Sequence, residues 1–225
     1  ILPSSRPSIF LDSVSQICSV CKPIIKRKKN INWKKRKKEF IKIVKKLKNP
    51  HSNYDCIIPV SGGKDSTWQV ITALKLKLNP LCVTWKSPGR NFLGSQNLIN
   101  LINLGVDHLD FTINPEIERH FTHKSFSKFG NPLIPMHMAL HAFTVRTAIE
   151  KKIKLIIWGE NSADEYGGKN YLKGKYMTNE WRKYYGVNNG TSAEYWIDQK
   201  IKYKNIYPYK LPSQKKIKKN KIKEI

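Results

Sequence analysis

Asp55-Cys56-Ile57-Ile58-Pro59-Val60-Ser61-Gly62-Gly63-Lys64-Asp65-Ser66 combines an apolar run, a double-glycine turn and the opening of a helix. The run Cys56 to Val60 reads as a buried strand, and Trp68, Ile71, Leu74 and Leu78 then recur at helical spacing. Two adjacent glycines let the backbone turn sharply and approach a ligand with no Cβ in the way. The hydroxyls of Ser61 and Ser66, together with the amides of the new helix, are candidates to surround a phosphate. This is not the Walker loop, in which Gly-Lys is followed by Ser or Thr after a longer glycine-bounded spacing; here Lys64 is followed by Asp65. A carboxylate repels a bare phosphate, so Asp65 points to a Mg²⁺ ion that bridges it to the ligand. Ser61, Gly62, Gly63, Lys64, Asp65 and Ser66 are therefore the candidate cofactor-binding residues, with Lys64, Asp65 and Ser66 also candidates for catalysis.

Strand and helix patterns continue outward from this unit. A second strand runs from Leu81 to Trp85, and a helix opens at Ser95, carries Leu98, Ile99, Leu101 and Ile102, and is stopped by Gly105. A third strand is His108 to Thr112, a largely apolar helix spans about Met136 to Glu150, and a fourth strand is Lys154 to Trp158. Continuous apolar strands alternating with helices predict an α/β fold with a doubly wound parallel sheet. Ligands in such sheets bind beyond the carboxyl ends of the strands, so Glu160 and Asp164, just after the fourth strand, are expected in the same crevice as the loop. They are candidates to orient a second Mg²⁺, bind substrate or accept a proton, against the plainer alternative of an acidic, helix-capping loop. His137 and His141 stand one helical turn apart, and without a third ligand packing or substrate contact is favoured over metal.

Upstream, Trp33, Phe40, Ile43, Val44 and Leu47 form the apolar stripe of a basic helix that Asn32 caps and Asn49-Pro50 ends. The chain thus divides into a Cys-x-x-Cys segment and basic linker (1–32), the basic helix (33–50), the nucleotide-binding domain (51–168) and a C-terminal extension (169–225). Tyr171, Tyr176, Trp181, Tyr184, Tyr185, Tyr195 and Trp196 crowd the extension without a period, and it ends in a lysine run.

At 225 residues the chain suits one α/β domain with an appendage, and no apolar stretch reaches the length of a membrane span. The formal charge of +26 raises nucleic acid as a partner. Its distribution argues against that: residues 22–49 carry 14 basic side chains and one acid, and residues 213–225 carry six and one. The excess is peripheral and reads as a solvated helix and a frayed tail, with RNA binding the lesser alternative. Cysteines at 18, 21, 56 and 82 lack the spacing of a secreted disulfide framework, so a reducing, cytoplasmic compartment is expected. Cys56 and Cys82 read as buried hydrophobes, leaving Cys18 and Cys21 as the pair with ligand character. The opening Ile1-Leu2-Pro3 lacks an initiating Met, and a truncated N-terminus is expected.

The hexapeptide Ser61–Ser66 in its strand–helix setting resembles the pyrophosphate loop of the ATP pyrophosphatase (PP-loop) superfamily. The resemblance implies an adenine nucleotide α-hydrolase-like, Rossmann-like fold, ATP with Mg²⁺, and adenylation of an oxygen that a nucleophile then displaces. Within that superfamily the order of Arg6-Pro7-Ser8-Ile9-Phe10, Cys18-Ser19-Val20-Cys21, Ile31-Asn32-Trp33-Lys34, Tyr54–Val60 and Trp158-Gly159-Glu160-Asn161 resembles the N-acetyl sugar amidotransferases of bacterial surface polysaccharide and lipopolysaccharide synthesis. That similarity covers roughly residues 1–200. It implies a nucleotide-linked sugar substrate of the pseudaminic acid type, conversion of acetamido to acetamidino, and ammonia from a separate glutaminase subunit. The family carries a further Cys-x-x-Cys upstream and extends beyond this C-terminus; both departures fit a fragment. With that pair restored, Cys18 and Cys21 would complete a structural Zn²⁺ site. A tRNA-modifying PP-loop enzyme, a thiolase or lysidine-type ligase, is the competing interpretation. A non-catalytic RNA-binding scaffold leaves the Ser61–Ser66 loop unexplained.

Overall fold

The computed structural model describes residues 10–19, 21, 22, 25, 31–159, 177, 181, 182 and 187–225. Two compact units divide the chain, Ile1–Lys46 and Leu47–Ile225, so residues 51–168 and 169–225 fall in the same unit.

In the first unit, Leu11 and Cys18 form an antiparallel bridge, and the Ser19 amide donates to the Phe10 carbonyl at 2.8 Å. Helix α1, Trp33–Leu47, opens on Asn32, whose Oδ1 accepts from the Lys35 amide at 2.9 Å. Its lysines and arginines are exposed.

The second unit is built on a five-stranded, all-parallel sheet in the order β3-β2-β1-β4-β5. The strands are β1 (Cys56–Pro59), β2 (Pro80–Trp85), β3 (Asp107–Phe111), β4 (Leu155–Ile156) and β5 (Lys223–Glu224). Helices α2 (Lys64–Lys75), α3 (Phe92–Ile102), α4 (Pro115–Phe129) and α5 (Ile134–Glu150) fill the crossovers that parallel pairing requires, and α6 (Gln214–Lys219) precedes β5. The order reverses between β1 and β4, which puts the turn after β1 at the topological switch point.

Both faces of the central strands are covered, as their unbroken apolar runs require. Ile57, Leu81, Val83 and Ile156 cluster with Val145 and Ala148 of α5 and Ile217 of α6. Cys56, Ile58 and Cys82 alternate to the opposite face, and all three are fully buried. Burial pushes the thiols of Cys56 and Cys82 up to about 12, so both pack as inert hydrophobes. On α2 the buried positions are Ser66, Val70 and Ala73, whereas Trp68 is 67% exposed. The apolar spacing found the helix but placed its inward face about two residues out of phase.

Helix α4 has no apolar stripe that announces it. Its boundaries are nonetheless written in the sequence: Asn114 caps the amides of Glu116 and Ile117, Pro115 opens the first turn, and Gly130 closes it at φ +63°.

The carboxyl-terminal residues correct the expectation of a frayed lysine tail. Ser213 caps α6 through the Lys216 amide, Ile217 is buried, and β5 pairs with β4 through Leu155 opposite Lys223 and Ile156 opposite Glu224. The Trp158 amide donates to the Ile225 carbonyl at 2.7 Å. Lysines alternate outward while Ile217 and Glu224 point in, a pattern that net charge alone hides. The aromatic residues of the same stretch form a second core. Phe121 of α4 meets Trp196 and Tyr209, each at 5.0 Å between ring centres, with Ile134, Met138, Ile201 and Ile206 around them. Each such side chain removed from water contributes roughly 1.5–3 kcal/mol before entropy is counted.

Candidate functional site

The turn from β1 into α2 is shaped by close approach. Gly62 sits at φ +79°, and a Cβ there would lie 2.7 Å from the Leu98 amide nitrogen of α3. Only glycine satisfies both the left-handed backbone and that contact. Gly63 caps α2 with extended backbone and no side-chain bond to the first-turn amides. Those amides, at the positive end of a twelve-residue helix, are the anion-binding groups of the turn.

The two serines brace the loop. Ser66 Oγ donates to the Gly63 carbonyl at 3.1 Å and accepts from the Ser61 amide at 3.4 Å, while Ser61 Oγ accepts from the Gly63 amide at 3.3 Å. Ser66 is buried, so its part is to hold the turn's shape rather than to offer a hydroxyl to a ligand. Lys64 and Asp65 are both exposed and paired with each other, Nζ to Oδ1 at 2.9 Å. A single accessible carboxylate suits Mg²⁺, which takes one or two protein oxygens and completes its shell with water and substrate phosphates.

Beneath the loop, buried Thr84 ties three strands together. Its Oγ1 donates to the Val60 carbonyl at 2.7 Å and lies 2.8 Å from His108 Nε2. Desolvation holds the His108 imidazole below its usual pKa, with Arg90 adding to the effect and Asp110 opposing it. Beside the loop, at the carboxyl ends of β2 and β3, is a cavity of about 300 Å³. Trp85, Lys86, Arg90, Ser95, Thr112 and Glu118 are among its lining residues. Arg90 closes one wall through a bidentate pair with Asp110 at 2.6 and 2.9 Å. The Trp85 indole N–H is buried with no acceptor among the described residues. Glu118 is 4% exposed; burial raises its carboxyl, and the Tyr209 hydroxyl, donating at 2.6 Å, opposes that shift.

At the switch point itself, Gln69 of α2 donates to the Trp158 carbonyl at 2.7 Å, linking the loop helix to the end of β4. Gln69 Oε1 has no partner among the described residues and would meet a Cβ at Gly159 at 3.1 Å. Gly159 is thus tied to the crevice, whereas Glu160 and Asp164 lie outside the described residues. His141 is buried and stacks on Trp158 at 4.8 Å, which favours packing over metal ligation. Cys18 and Cys21 are adjacent, the Cys21 amide donating to Cys18 Sγ at 3.3 Å, and neither forms a disulfide. Among the described residues no group of three or more His, Cys, Asp or Glu side chains could hold a metal ion. No helix among them is long and apolar enough to cross a membrane.

Sequence reasoning missed Trp85, Glu118, Tyr209, Arg182 and Asn188 as site residues. Glu118 sits two residues after Glu116 in the capped turn of α4, a signal that finds the helix but not the cavity. The others belong to stretches whose partners lie far away in sequence.

No protein-family model matches the chain. Over 72 residues it is 44% identical to the uncharacterized protein MJ1599 of Methanocaldococcus jannaschii, a match covering 30% of this chain. The matched region spans about a quarter, 24%, of that relative's length. Among solved structures, a predicted subunit of tRNA methyltransferase from Methanocaldococcus jannaschii superposes with a TM-score of 0.36 at 20% identity, covering 52% of this chain and 58% of that one. NH3-dependent NAD synthetase from Campylobacter jejuni gives 0.43 at 21% identity over 60% of this chain and 59% of its own. NMN synthetase from Francisella tularensis gives 0.41 at 20% identity, covering 82% and 92% respectively.

Proposed function

We propose that this chain is an ATP-dependent amidotransferase that cleaves ATP to AMP and pyrophosphate. The observation that carries the proposal is the uncapped start of α2 behind Gly62-Gly63, placed at the switch point of a parallel sheet beside a nucleotide-sized cavity. The α2 amides and Lys64 bind the departing pyrophosphate, and the cavity at the ends of β2 and β3 holds the nucleoside, with the unpaired Trp85 N–H as a donor to it. Asp65 would hold Mg²⁺, which when bound offsets the charge gathering on the phosphates. Ser61 and Ser66 keep the turn rigid, so that the amides are aimed before the ligand arrives.

The acceptor is the acetamido oxygen of a nucleotide-linked sugar, following the ordered resemblance of residues 1–200 to the N-acetyl sugar amidotransferases. That oxygen bonds to the α-phosphorus as the bond to pyrophosphate breaks. Ammonia then adds to the imidate carbon and AMP leaves, giving an acetamidino sugar for surface polysaccharide. Glu160 and Asp164 are assigned to accept the proton ammonia loses or to bind the sugar. The ammonia comes from a separate glutaminase, because none of the four cysteines stands in the strand–elbow–helix setting of a triad nucleophile.

The test is ATP–pyrophosphate exchange against a panel of nucleotide sugars and against bulk tRNA. Exchange stimulated by an N-acetylated nucleotide sugar, and amidine formed with ammonium but not with glutamine, are expected. Stimulation by tRNA alone would replace this reading with the tRNA-modifying one.

A further inference from the structure

A second cavity of about 290 Å³ lies beyond β4 and β5, among Met138, His141, Arg182, Asn188, Ala193 and Leu211. Three of its buried polar atoms have no partner among the described residues: His141 Nδ1, Arg182 Nε and Asn188 Oδ1. Their side chains are at least nine-tenths buried, with exposures of 6%, 2% and 7%. A buried polar atom without a partner costs about 1–3 kcal/mol, so three around one cavity mark a place where a ligand completes the bonding.

The wall also defines the ligand's charge. Arg182 is already paired with Glu224, and Lys210 with Glu194 at 2.8 Å. Burial first, then Arg182 and His137, hold the His141 imidazole well below its usual pKa, so it is neutral. No uncompensated charge remains for an anion. Arg182 Nε can only donate and Asn188 Oδ1 can only accept, so the ligand must present acceptor and donor together, as hydroxyls and amides do. Met138, Ala193 and Leu211 supply apolar surface for its carbon skeleton.

This cavity adjoins the first. Tyr209 lines the second, Glu118 lines the first, and the 2.6 Å hydrogen bond between them forms the shared wall. We propose that the second cavity is the acceptor subsite, taking the uncharged, hydroxyl- and amide-bearing part of the molecule that ATP activates, with His141, Arg182 and Asn188 as its recognition groups. The assignment of this ligand as the acceptor rests on the ATP reading; the binding does not.

The test is a ¹H–¹⁵N NMR titration of the full chain without nucleotide, using N-acetylglucosamine and, for comparison, glucose 6-phosphate. N-acetylglucosamine is expected to give saturable shifts at Met138, Asn188 and Thr191 to Ala193, with the phosphorylated sugar binding more weakly. Asn188→Leu should weaken the sugar roughly tenfold, the loss of one buried hydrogen bond. Shifts centred on Trp85, Ser87 and Ser95, no saturable shifts in the wild-type chain, or equal affinity in a folded Asn188→Leu variant would overturn the subsite. A saturable complex at the expected amides in a wild-type chain that shows no ATP–pyrophosphate exchange would remove the ATP reading and leave the sugar site standing.

Discussion

The Ser61–Ser66 turn and the Ser213–Ile225 segment are both short, polar-looking stretches that lead into a helix, and they are held in opposite ways. The turn is stitched by bonds among Ser61, Gly63 and Ser66, no more than five residues apart. The segment is held by distant partners: Lys223 donates to the Lys154 carbonyl at 2.7 Å, Ile225 to Ile156 at 3.0 Å, and the Glu224 carboxylate accepts from Trp158 Nε1 at 2.8 Å and from Arg182. A motif closed on itself can be read from six letters. A strand completed by another strand sixty-odd residues away cannot, and six lysines then pass for a solvated tail.

Deleting residues 213–225 is the strongest challenge to that contrast. It removes β5 and Ile217 and leaves Arg182 unpaired inside the protein, a loss on the order of 5 kcal/mol, comparable to the whole stability of many domains. The truncated chain should show no cooperative thermal transition; a melt like that of the full chain would mean that the segment is dispensable. Glu224→Ala sharpens the test to one side chain. Stranding the buried guanidinium of Arg182 should cost about 3–5 kcal/mol, read from urea unfolding.

On the other side of the comparison, Gly62→Ala combines φ +79° with a Cβ 2.7 Å from the Leu98 nitrogen, and should cost about 2 kcal/mol. Gly105→Ala is the control, because φ is +94° there but nothing lies within 4 Å; about 1 kcal/mol is expected. Equal losses at the two sites would show that the approach to α3 is unimportant.

Acid should weaken the fold through His141. Its folded pKa lies well below the ordinary 6.5, so its contribution is complete above 6.5 and is lost as pH falls, when the unfolded chain takes up a proton the folded chain refuses. The slope approaches about 1.4 kcal/mol per pH unit below 6.5 from this one group. His141→Gln should flatten the stability–pH curve in that window; an unchanged slope would assign it elsewhere.

Asp65→Ala has the smallest effect on stability and a large one on chemistry. The exposed side chain contacts only Lys64, so the melting curve should move by less than about 0.5 kcal/mol, while ATP–pyrophosphate exchange falls at least roughly a hundredfold. Exchange at the wild-type rate would remove the role given to the carboxylate.

The sequence by itself determined the elements whose information is local. Trp33–Leu47 was read to the residue from its apolar stripe, Asn32 and Pro50, and the strands Cys56–Pro59 and Pro80–Trp85 from unbroken apolar runs. The parallel α/β class followed from their alternation, and the loop from two glycines between strand and helix. Helix α4 was legible only through Asn114, Pro115 and Gly130, because a helix partly covered by aromatic residues of the C-terminal segment need not carry a clean apolar stripe. The tertiary structure alone decided that Glu118 and Tyr209 meet across 91 residues, and that His141, Arg182 and Asn188 surround one cavity. It also decided that the last two-residue strand closes the sheet. Each of these depends on burial and pairing between segments far apart in the chain, and such energies leave no period or spacing in the residues that share them.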